Sequence, residues 1–390
     1  MLINWDKRKK IVTFALQNHR MSKELRIIIS GGGTGGHIFP AISIANAIKA
    51  KEPGASILFV GAEGRMEMQR VPAAGYEIKG LPICGFDRKH LLRNIVVLWK
   101  VFKSQRMAKR IIREFKPMAA VGVGGYASGP TLNKCASMGI PCLIQEQNSY
   151  AGVTNKLLAK KAQKICVAYD GMEKFFPAEK IENLGNPIRQ ALLECKLTRE
   201  EAATKLGLDP SRKILLIVGG SLGARTVNES VLQHLDMVEK ANVEILWQTG
   251  KYYHESILKE TEGRCPANLK ITDFISDMAA AYRAADLVVS RAGASSISEF
   301  CLLGMPVILV PSPNVAENHQ YHNAMALVNR GAAIYVADAE APATLMETAL
   351  DTISDDGKLK SLSDNVRKLA KHDSAAQIAD RVIEMARKKA

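Results

Sequence analysis

The sequence lacks the patterns that mark a membrane-spanning or exported protein. No apolar run approaches the roughly 18 residues that cross a bilayer, and the N-terminus lacks the apolar core of a signal peptide. The 7 cysteines are scattered without a C-x-x-C pair, so neither a zinc knuckle nor a disulfide framework is indicated. We therefore expect a protein that is not exported and that works in a reducing cytoplasm.

What the chain does contain is an ordinary globular composition with a large basic surplus. Hydrophobic residues make up 47% of its 390 residues, charged residues make up 24%, and no low-complexity tract interrupts them. This length makes two domains the default expectation. The formal net charge of +14 indicates an anionic partner, which is phosphate, nucleic acid or an anionic membrane.

Apolar strand patterns alternate with helical patterns, and the alternation occurs twice. In the first half the strand patterns lie at 25–30, 56–60, 119–123 and 141–145, and in the second half at 213–218, 243–248, 286–290 and 306–310. Such alternation predicts an α/β fold with two Rossmann-like, doubly wound parallel sheets. Two units of this kind facing each other create an interdomain cleft, where ligands usually bind.

The same patterns divide the chain into four segments. Residues 1–20 precede a second methionine, Met21, and we interpret them as an extension or an upstream start. We expect a first domain at 21–184 and a second at 185–365, with the hinge at Gly185-Asn-Pro187, since glycine frees the backbone and proline stops a preceding helix. We expect residues 366–390 to form a C-terminal helix that packs back on the first domain.

Three glycine-rich segments, at 31–37, 122–130 and 219–225, each follow an apolar strand. Glycine lets the backbone approach a phosphate closely, so that N–H groups and a helix N-terminus can face the anion. The first segment fits G-x-G-x-x-G, but Glu63 is poorly placed as the acidic residue that a dinucleotide site requires. Each segment alone is equally compatible with a tight turn, whereas three together favour diphosphate or sugar chemistry.

The segment at 290–304 has two interpretations. A strand end, a turn of small residues and an amphipathic helix predict a diphosphate site at the helix N-terminus. Glu299, about one turn into that helix, would accept hydrogen bonds from the two hydroxyls of a ribose. Alternatively, Ser296 and Glu299 have the spacing of a capping box and would only cap the helix.

Six motifs in this order resemble the signatures of the MurG family, along nearly the whole chain from Leu25. They are GGGTGGHIFP at 31–40, GVGGYASGP at 122–130, QEQN at 145–148, GNPIR at 185–189, GGSLGAR at 219–225 and RAGASSISE at 291–299. The resemblance implies a GT-B fold and an inverting glycosyltransferase. It would move N-acetylglucosamine (GlcNAc) from its UDP donor to the C4 hydroxyl of the undecaprenyl-diphosphate-linked N-acetylmuramoyl-pentapeptide, in peptidoglycan synthesis.

The resemblance also implies donor contacts, held mainly by the second half. Ile275 would contact uracil through its backbone, Glu299 would bind the ribose and Gln320 would face the sugar hydroxyls. The residues expected near the diphosphate are Arg189, Ser221, Ala294, Ser295, Ser296, Ile297 and Ser298. Those expected to close over donor and acceptor from the first half are Thr34, Gly35, Gly36 and Asn148. The turn after Arg291 leaves open whether Ser295 or Ser296 makes the polar contact.

The transfer needs a group that takes a proton from the attacking hydroxyl. His37 follows the first glycine segment, and histidine titrates near cytoplasmic pH, so it is our candidate base. A role confined to positioning the loop or the acceptor is equally compatible with the sequence. Because the chain has no D-x-D motif, and His319 and His322 form only an isolated pair, we expect no metal and no cofactor. Basic side chains and helix dipoles would stabilise the leaving UDP.

Between residues 88 and 116 there are ten lysines or arginines and one acid, Glu114. An apolar cluster lies within this stretch, which predicts either an interfacial amphipathic helix or an ordinary helix with a buried apolar face. The lipid-linked acceptor implied by the resemblance favours a patch that binds an anionic membrane. We assign to the patch Ile95, Val96, Leu98, Trp99, Lys100, Phe102 and Lys103.

These expectations place the protein peripherally on the cytoplasmic face of the cell membrane. The resemblance adds cell-wall synthesis proteins as partners and a link to cell shape and division. A nucleic-acid partner is disfavoured because the basic stretch has no RNA-type aromatic motif and the glycine segments would have no role. The enzyme alternative is another GT-B transferase with a different UDP-sugar or lipid acceptor.

Overall fold

A computed structural model of the chain describes residues 24–85, 94–188 and 190–389. The first sheet has seven parallel strands in the order β3-β2-β1-β4-β5-β6-β7. Its strands are β1 Arg26–Ser30, β2 Ser56–Ala62, β3 Glu77–Leu81, β4 Ala119–Gly122, β5 Cys142–Glu146, β6 Lys164–Val167 and β7 Ile181–Asn183. Its helices are α1 Gly35–Lys51, α2 Glu67–Ala73, α3 Asn94–Phe115, α4 Ser128–Ser137 and α5 Val153–Leu158.

The second sheet has six parallel strands in the order β10-β9-β8-β11-β12-β13. Its strands are β8 Lys213–Val218, β9 Val243–Gln248, β10 Leu269–Thr272, β11 Leu287–Ser290, β12 Val307–Leu309 and β13 Ile334–Tyr335. The remaining helices are α6 Gln190–Leu193, α7 Arg199–Lys205, α8 Arg225–Gln233, α9 Leu235–Lys240, α10 His254–Thr261, α11 Met278–Ala284, α12 Ala294–Leu303, α13 His319–Val328, α14 Ala341–Ser354, α15 Asp356–Arg367 and α16 Ser374–Lys389. Short 3₁₀ turns occur at Met172–Lys174, Ala178–Lys180 and Ala316–Asn318.

Both sheets are buried on their two faces, which explains the continuous apolar runs in their central strands. In β1, Ile27 and Ile29 enter one hydrophobic cluster while Ile28 enters the cluster on the opposite face, because successive side chains of a strand alternate. In β8, Leu215 and Leu216 divide in the same way. The predicted α/β fold with two doubly wound parallel sheets is confirmed.

The chain passes between the two halves twice, and the two passages touch. Gly185 has a left-handed φ of +83°, and a Cβ added to it would lie 2.4 Å from the Cβ of Lys371. After this point helix α16 returns to the first sheet. There Ile378 and Val382 are fully buried in the same cluster as Ile44 of helix α1. The last helix is therefore part of the first core.

Candidate active site

The glycine segments lie where parallel strands end, and the first two are in direct contact. A Cβ on Gly125 would lie 2.4 Å from the carbonyl oxygen of Gly32, and one on Gly31 would lie 2.1 Å from a methyl carbon of Val123. Gly125 also has a φ of +84°, which disfavours any other residue. The two loops therefore form one continuous wall at the carboxyl edge of the first sheet.

His37 lies in the first turn of helix α1 and is held by this wall. Its Nδ1 lies 3.1 Å from the carbonyl oxygen of Gly32 and 3.3 Å from Oγ1 of Thr34. Because a carbonyl can only accept, the bond to Gly32 places the imidazole proton on Nδ1 and leaves the Nε2 lone pair available. A Cβ on Gly124 would lie 2.8 Å from that Nε2, so the ring rests directly over Gly124.

Opposing effects act on the pKa of His37, and the net result is a lowered pKa. Burial has the largest effect and lowers the pKa. The negative charge of Glu146, the bond to Gly32 and the charge of Glu67 raise it, whereas the charge of His319 lowers it further. His37 is consequently neutral at neutral pH, which is the form that accepts a proton.

Glu146 is a buried carboxylate that shapes the loop beside His37. Its Oε1 accepts from the backbone and side-chain nitrogens of Asn148 at 3.0 and 3.2 Å. Its Oε2 accepts from the backbone N–H of Gly152 at 3.0 Å and from Nδ2 of Asn155 at 2.9 Å. Four donors thus hold the carboxylate in one position, and the position of Asn148 is fixed with it.

Asn148 belongs to a polar seam that joins the two halves. Its Oδ1 accepts from Nδ2 of Asn323 in helix α13 at 3.1 Å, and Oδ1 of Asn323 accepts from the backbone N–H of Ser149 at 2.9 Å. Next to the hinge glycine, Asn186 donates 3.0 Å bonds to the Gln147 carbonyl on one side and to Oγ of Ser298 on the other. These amides set how the two carboxyl edges face each other.

In the second half, the third glycine segment is connected to Ile275 through Gln248. The side chain of Gln248 donates to the Gly220 carbonyl at 3.0 Å and accepts from the backbone N–H of Ile275 at 3.1 Å. A contact between Ile275 and a base would therefore fall to its carbonyl. Ser221 lies exposed at the tip of the segment.

Helix α12 begins after its N-cap residue, Gly293, which has no side chain to form a cap. The capping box considered for Ser296 and Glu299 is therefore absent, since Ser296 lies inside the helix. Glu299 is 3% exposed and accepts a 3.1 Å hydrogen bond from the hydroxyl of Tyr282. This places a buried carboxylate in the second turn of the helix.

The serines of this turn have different environments. The Ser298 hydroxyl donates to the Ala294 carbonyl at 3.0 Å and belongs to the seam. The Ser295 hydroxyl is enclosed and has no hydrogen-bond partner in the described part of the chain. Ser296 lies half-buried beside Gly293, at the helix N-terminus.

Gln320, His322 and Arg189 were also considered in the sequence, and the structure describes the first two. Gln320 accepts from the backbone N–H of Ser312 through its Oε1 at 2.9 Å, so its amide nitrogen is the end that remains for a sugar. His322 stacks on Tyr150 with a centroid distance of 5.1 Å. Within the described ranges no three His, Cys, Asp or Glu side chains are grouped to hold a metal. Arg189 lies outside the described residues.

Helix α3 carries the basic and apolar residues assigned to the membrane patch. Trp99 and Phe102 are each 61% exposed, with Nζ of Lys103 5.3 Å from the Trp99 ring centroid. Val97, which lies between the predicted patch residues, is buried. Lys100 is half-buried, with its Nζ 3.8 Å from Sγ of Cys84. The side chains of Ile95, Val96 and Leu98 lie outside the described part. No helix in the described ranges has the length and apolarity of a membrane span.

Several residues of the site were absent from the sequence prediction. Glu146 lies within the QEQN motif and Asn186 within the GNPIR motif, so these motifs were the sequence signals that could have identified them. Gln248 and Asn323 gave no local signal, because their partners are distant in sequence. Glu67, whose carboxylate lies under the first glycine loop, gave none either.

Comparison with known proteins agrees with this architecture. A model of the glycosyltransferase family 28 N-terminal domain matches residues 27–167, and a model of the family 28 C-terminal domain matches residues 214–382. The crystal structure of Acinetobacter baumannii MurG superimposes with a TM-score of 0.74 at 28% identity, covering 92% of this chain and 99% of that one. The glycosyltransferase of kitacinnamycin, at 15% identity, shares the fold with a TM-score of 0.71, over 93% of this chain and 100% of that one.

Curated relatives match over almost their whole length. Proteins of Phocaeicola vulgatus and Bacteroides fragilis are each 64% identical to this chain and are named UDP-N-acetylglucosamine--N-acetylmuramyl-(pentapeptide) pyrophosphoryl-undecaprenol N-acetylglucosamine transferase. The matches cover 94% and 93% of this chain, and 98% and 96% of the relatives. The fold and the two family models together define a two-domain glycosyltransferase of family 28. Within that class, the chain belongs to the MurG family.

Proposed function

We propose that this chain transfers GlcNAc from UDP-GlcNAc to the C4 hydroxyl of undecaprenyl-diphosphate-linked N-acetylmuramoyl-pentapeptide, with inversion at the anomeric carbon. The observation that carries the proposal is the 64% identity, over 98% of the relative's length, to a transferase that bears this activity in its name. Identity at this level along both domains supports the same donor and the same acceptor.

His37 is the proposed base. Its Nε2 takes the proton of the acceptor C4 hydroxyl while that oxygen forms a bond to the anomeric carbon. The bond between the anomeric carbon and the diphosphate oxygen breaks in the same step, so UDP leaves with the electron pair and an α-linked donor gives a β-linked product. The Nδ1 bond to the Gly32 carbonyl at 3.1 Å supports this assignment, because it fixes the ring with Nε2 unprotonated.

The leaving diphosphate lies against the N-terminus of helix α12 and the third glycine segment. The N–H groups of the first helical turn and the helix dipole stabilise negative charge there without a metal. In this arrangement Ser296 and Ser221 are close to the phosphates, Glu299 accepts from the ribose, and the Ile275 carbonyl contacts uracil. Glu299 is only 3% exposed, and burial strengthens the hydrogen bonds that its carboxylate accepts.

The first domain, at 21–184, holds the acceptor and meets the membrane, while the second, at 185–365, holds the donor. Exposed rings and cations occur together on helix α3, where the guanidinium carbon of Arg106 lies 5.6 Å from the Phe102 ring centroid. Aromatic rings beside cations suit the interface of an anionic bilayer. The enzyme would thus act peripherally on the cytoplasmic face of the membrane, where other cell-wall synthesis proteins also meet the lipid-linked acceptor.

The direct test is transfer of labelled GlcNAc to a lipid-linked muramoyl-pentapeptide, with chromatography of the extracted lipid. Formation of labelled disaccharide lipid from UDP-GlcNAc is expected. Thermal shifts with UDP-GlcNAc, UDP-glucose and UDP-galactose form the second arm. A larger shift with another sugar nucleotide, together with no transfer to the muramoyl lipid, would instead indicate a transferase of different specificity.

A further inference from the structure

A buried carboxylate lies beneath the first glycine loop, 30 residues away from it in sequence. Glu67 is 1% exposed. Its Oε2 accepts from the backbone N–H of Gly33 at 2.8 Å, and its Oε1 accepts from the backbone N–H of Ala62 at 3.0 Å. No lysine or arginine in the described ranges forms an ion pair with it. Within the described ranges, backbone N–H groups therefore stabilise the charge.

The surrounding backbone leaves room for this carboxylate. A Cβ on Gly32 would lie 2.2 Å from Oε1 of Glu67, and a Cβ on Gly61 would lie 2.6 Å from its Cγ. Gly33 has a φ of +88°. Side chains at Gly32 and Gly61 would therefore displace Glu67, and the loop is shaped around it.

One peptide group connects this carboxylate to His37. The carbonyl of Gly32 and the N–H of Gly33 belong to the same planar unit and point in opposite directions. On one side the N–H donates to Glu67, and on the other the carbonyl accepts from Nδ1 of His37. Hydrogen bonds in such a chain polarise one another, so the carboxylate makes the Gly32 carbonyl a better acceptor.

We propose that Glu67 is a positioning residue for His37, acting through the peptide group between Gly32 and Gly33. It holds the plane of that peptide, and the peptide holds the ring orientation and the Nδ1–H tautomer. The catalytic consequence rests on the base role proposed for His37. The positioning itself does not depend on that role, and the pKa of the His37 ring measures it separately from activity.

The groups that act on His37 come from three neighbouring elements. Glu146 at the end of β5 and Glu67 in α2 raise its pKa, His319 in α13 lowers it, and burial exceeds them all and lowers it. Removing the Glu67 charge takes away one of the two carboxylates. The pKa of His37 therefore falls further, and the acidic limb of the rate profile moves to lower pH.

The experiment compares Glu67→Gln with Glu67→Asp in the full-length enzyme. In Glu67→Gln we expect kcat to fall roughly 10–100-fold, as it does for hydrogen-bonding partners that orient metal-ligating histidines, with little change in donor KM. NMR titration of the His37 ring, assigned by its loss in His37→Ala, should give a lower pKa than in wild type. Glu67→Asp keeps the charge on a shorter side chain, so the pKa should stay near that of wild type while kcat recovers in part.

Glu182→Gln is the matched control for stability. Glu182 is a partly buried carboxylate of the same sheet, bound to Lys164 and to Arg381 at 2.6 Å. Its loss should lower Tm while leaving kcat and the His37 pKa unchanged below the transition. If Glu67→Gln behaved in the same way, with only Tm lowered, Glu67 would be structural and the proposal wrong.

The same data separate this proposal from the base assignment. One outcome would support the positioning role and overturn the base role. In it, the NMR pKa of His37 is lowered in Glu67→Gln, but the pH–rate profile is the same in wild type, in Glu67→Gln and in His37→Ala. An unchanged pKa with a normal kcat would overturn the positioning role alone. If Glu67→Gln is too unstable to assay, a reduced kcat at an unchanged His37 pKa in Glu67→Asp gives the same support.

Discussion

The Nδ1 atom of His37 lies 3.1 Å from the carbonyl oxygen of Gly32, five residues earlier in the chain. This bond fills the place that a carboxylate often takes beside a general base. It selects the tautomer whose Nε2 accepts a proton, and it leaves Nε2 next to Gly124, a residue without a side chain.

His37→Ala should lower kcat by about 10²–10⁴-fold, the usual contribution of a general base. UDP affinity should hardly change, because the proposed nucleotide site lies in the other half. Steady-state kinetics at saturating acceptor and calorimetry with UDP measure the two effects. His234→Ala, which removes an imidazole bound to the Ser230 carbonyl, is the control and should keep normal turnover.

The pH dependence gives a separate prediction. Burial lowers the pKa of His37 below its usual 6.5, so the base is active above that pKa and is protonated below it. The wild-type kcat/KM should therefore fall on the acidic side, with a midpoint below pH 6.5, and His37→Ala should lose this limb. A limb that persists in the variant would assign the titration to another group, and a high acceptor KM with a normal kcat would indicate positioning only.

Glu299→Ala should weaken UDP binding by about 1–3 kcal/mol, the range for hydrogen bonds to a charged group. Glu299→Gln should be milder because the amide oxygen still accepts. Calorimetry with UDP and thermal unfolding separate binding from folding. Tyr282→Phe is the matched control, since it removes the 3.1 Å bond to Glu299 without removing the carboxylate. Normal UDP binding in both Glu299 variants, with only Tm lowered, would make the residue structural.

Transfer should proceed without divalent metal. The expectation follows from the missing D-x-D motif and from the helix N-terminus available to the diphosphate. GlcNAc transfer is measured after dialysis against a chelator, then with magnesium or manganese restored. Complete loss that either ion reverses would show that the leaving group needs a metal.

Replacing Trp99 and Phe102 by serine should reduce binding to phosphatidylglycerol vesicles. Both rings are 61% exposed, and the loss of buried aromatic area would cost on the order of 2 kcal/mol for each ring. Co-sedimentation with vesicles measures the change, and transfer to a short-chain, water-soluble acceptor should stay normal. Tyr252→Ser, at a 79% exposed ring of the second half, is the control. Equal vesicle binding by wild type and the double variant would contradict the patch.

The central strands were predictable because burial on both faces makes them uninterrupted apolar runs, as in β1 and β8. Strands β3, β6, β7, β10 and β13 were not predicted. Four of them, β3, β7, β10 and β13, are the edges of the two sheets, and β6 is a four-residue strand next to an edge. Glu77–Leu81 and Ile181–Asn183 alternate or carry polar residues. Their strand character comes from pairing with a neighbour, such as Leu58 with Glu77, and a single segment does not reveal it.

The residues of the candidate site also fall into those that the sequence predicted and those that it did not. Residues inside the motifs were predictable, because a glycine loop or a carboxylate in a helix start has a local chemical meaning. Glu67 and Asn323 were not, because their function depends on partners 34 and 174 residues away. Only the folded chain brings such groups together.

Helix α16 completes the first core, with Ile378 and Val382 packed against helix α1. During synthesis, the ribosome must therefore release the last segment, Ser374–Lys389, before the first half can close its hydrophobic cluster. All strands of the second half precede this segment in the chain, so the second half can fold before the first core is complete. The two halves should thus mature in the reverse of their order along the chain, and a polypeptide interrupted near residue 370 would carry a folded second half beside an open, aggregation-prone first half.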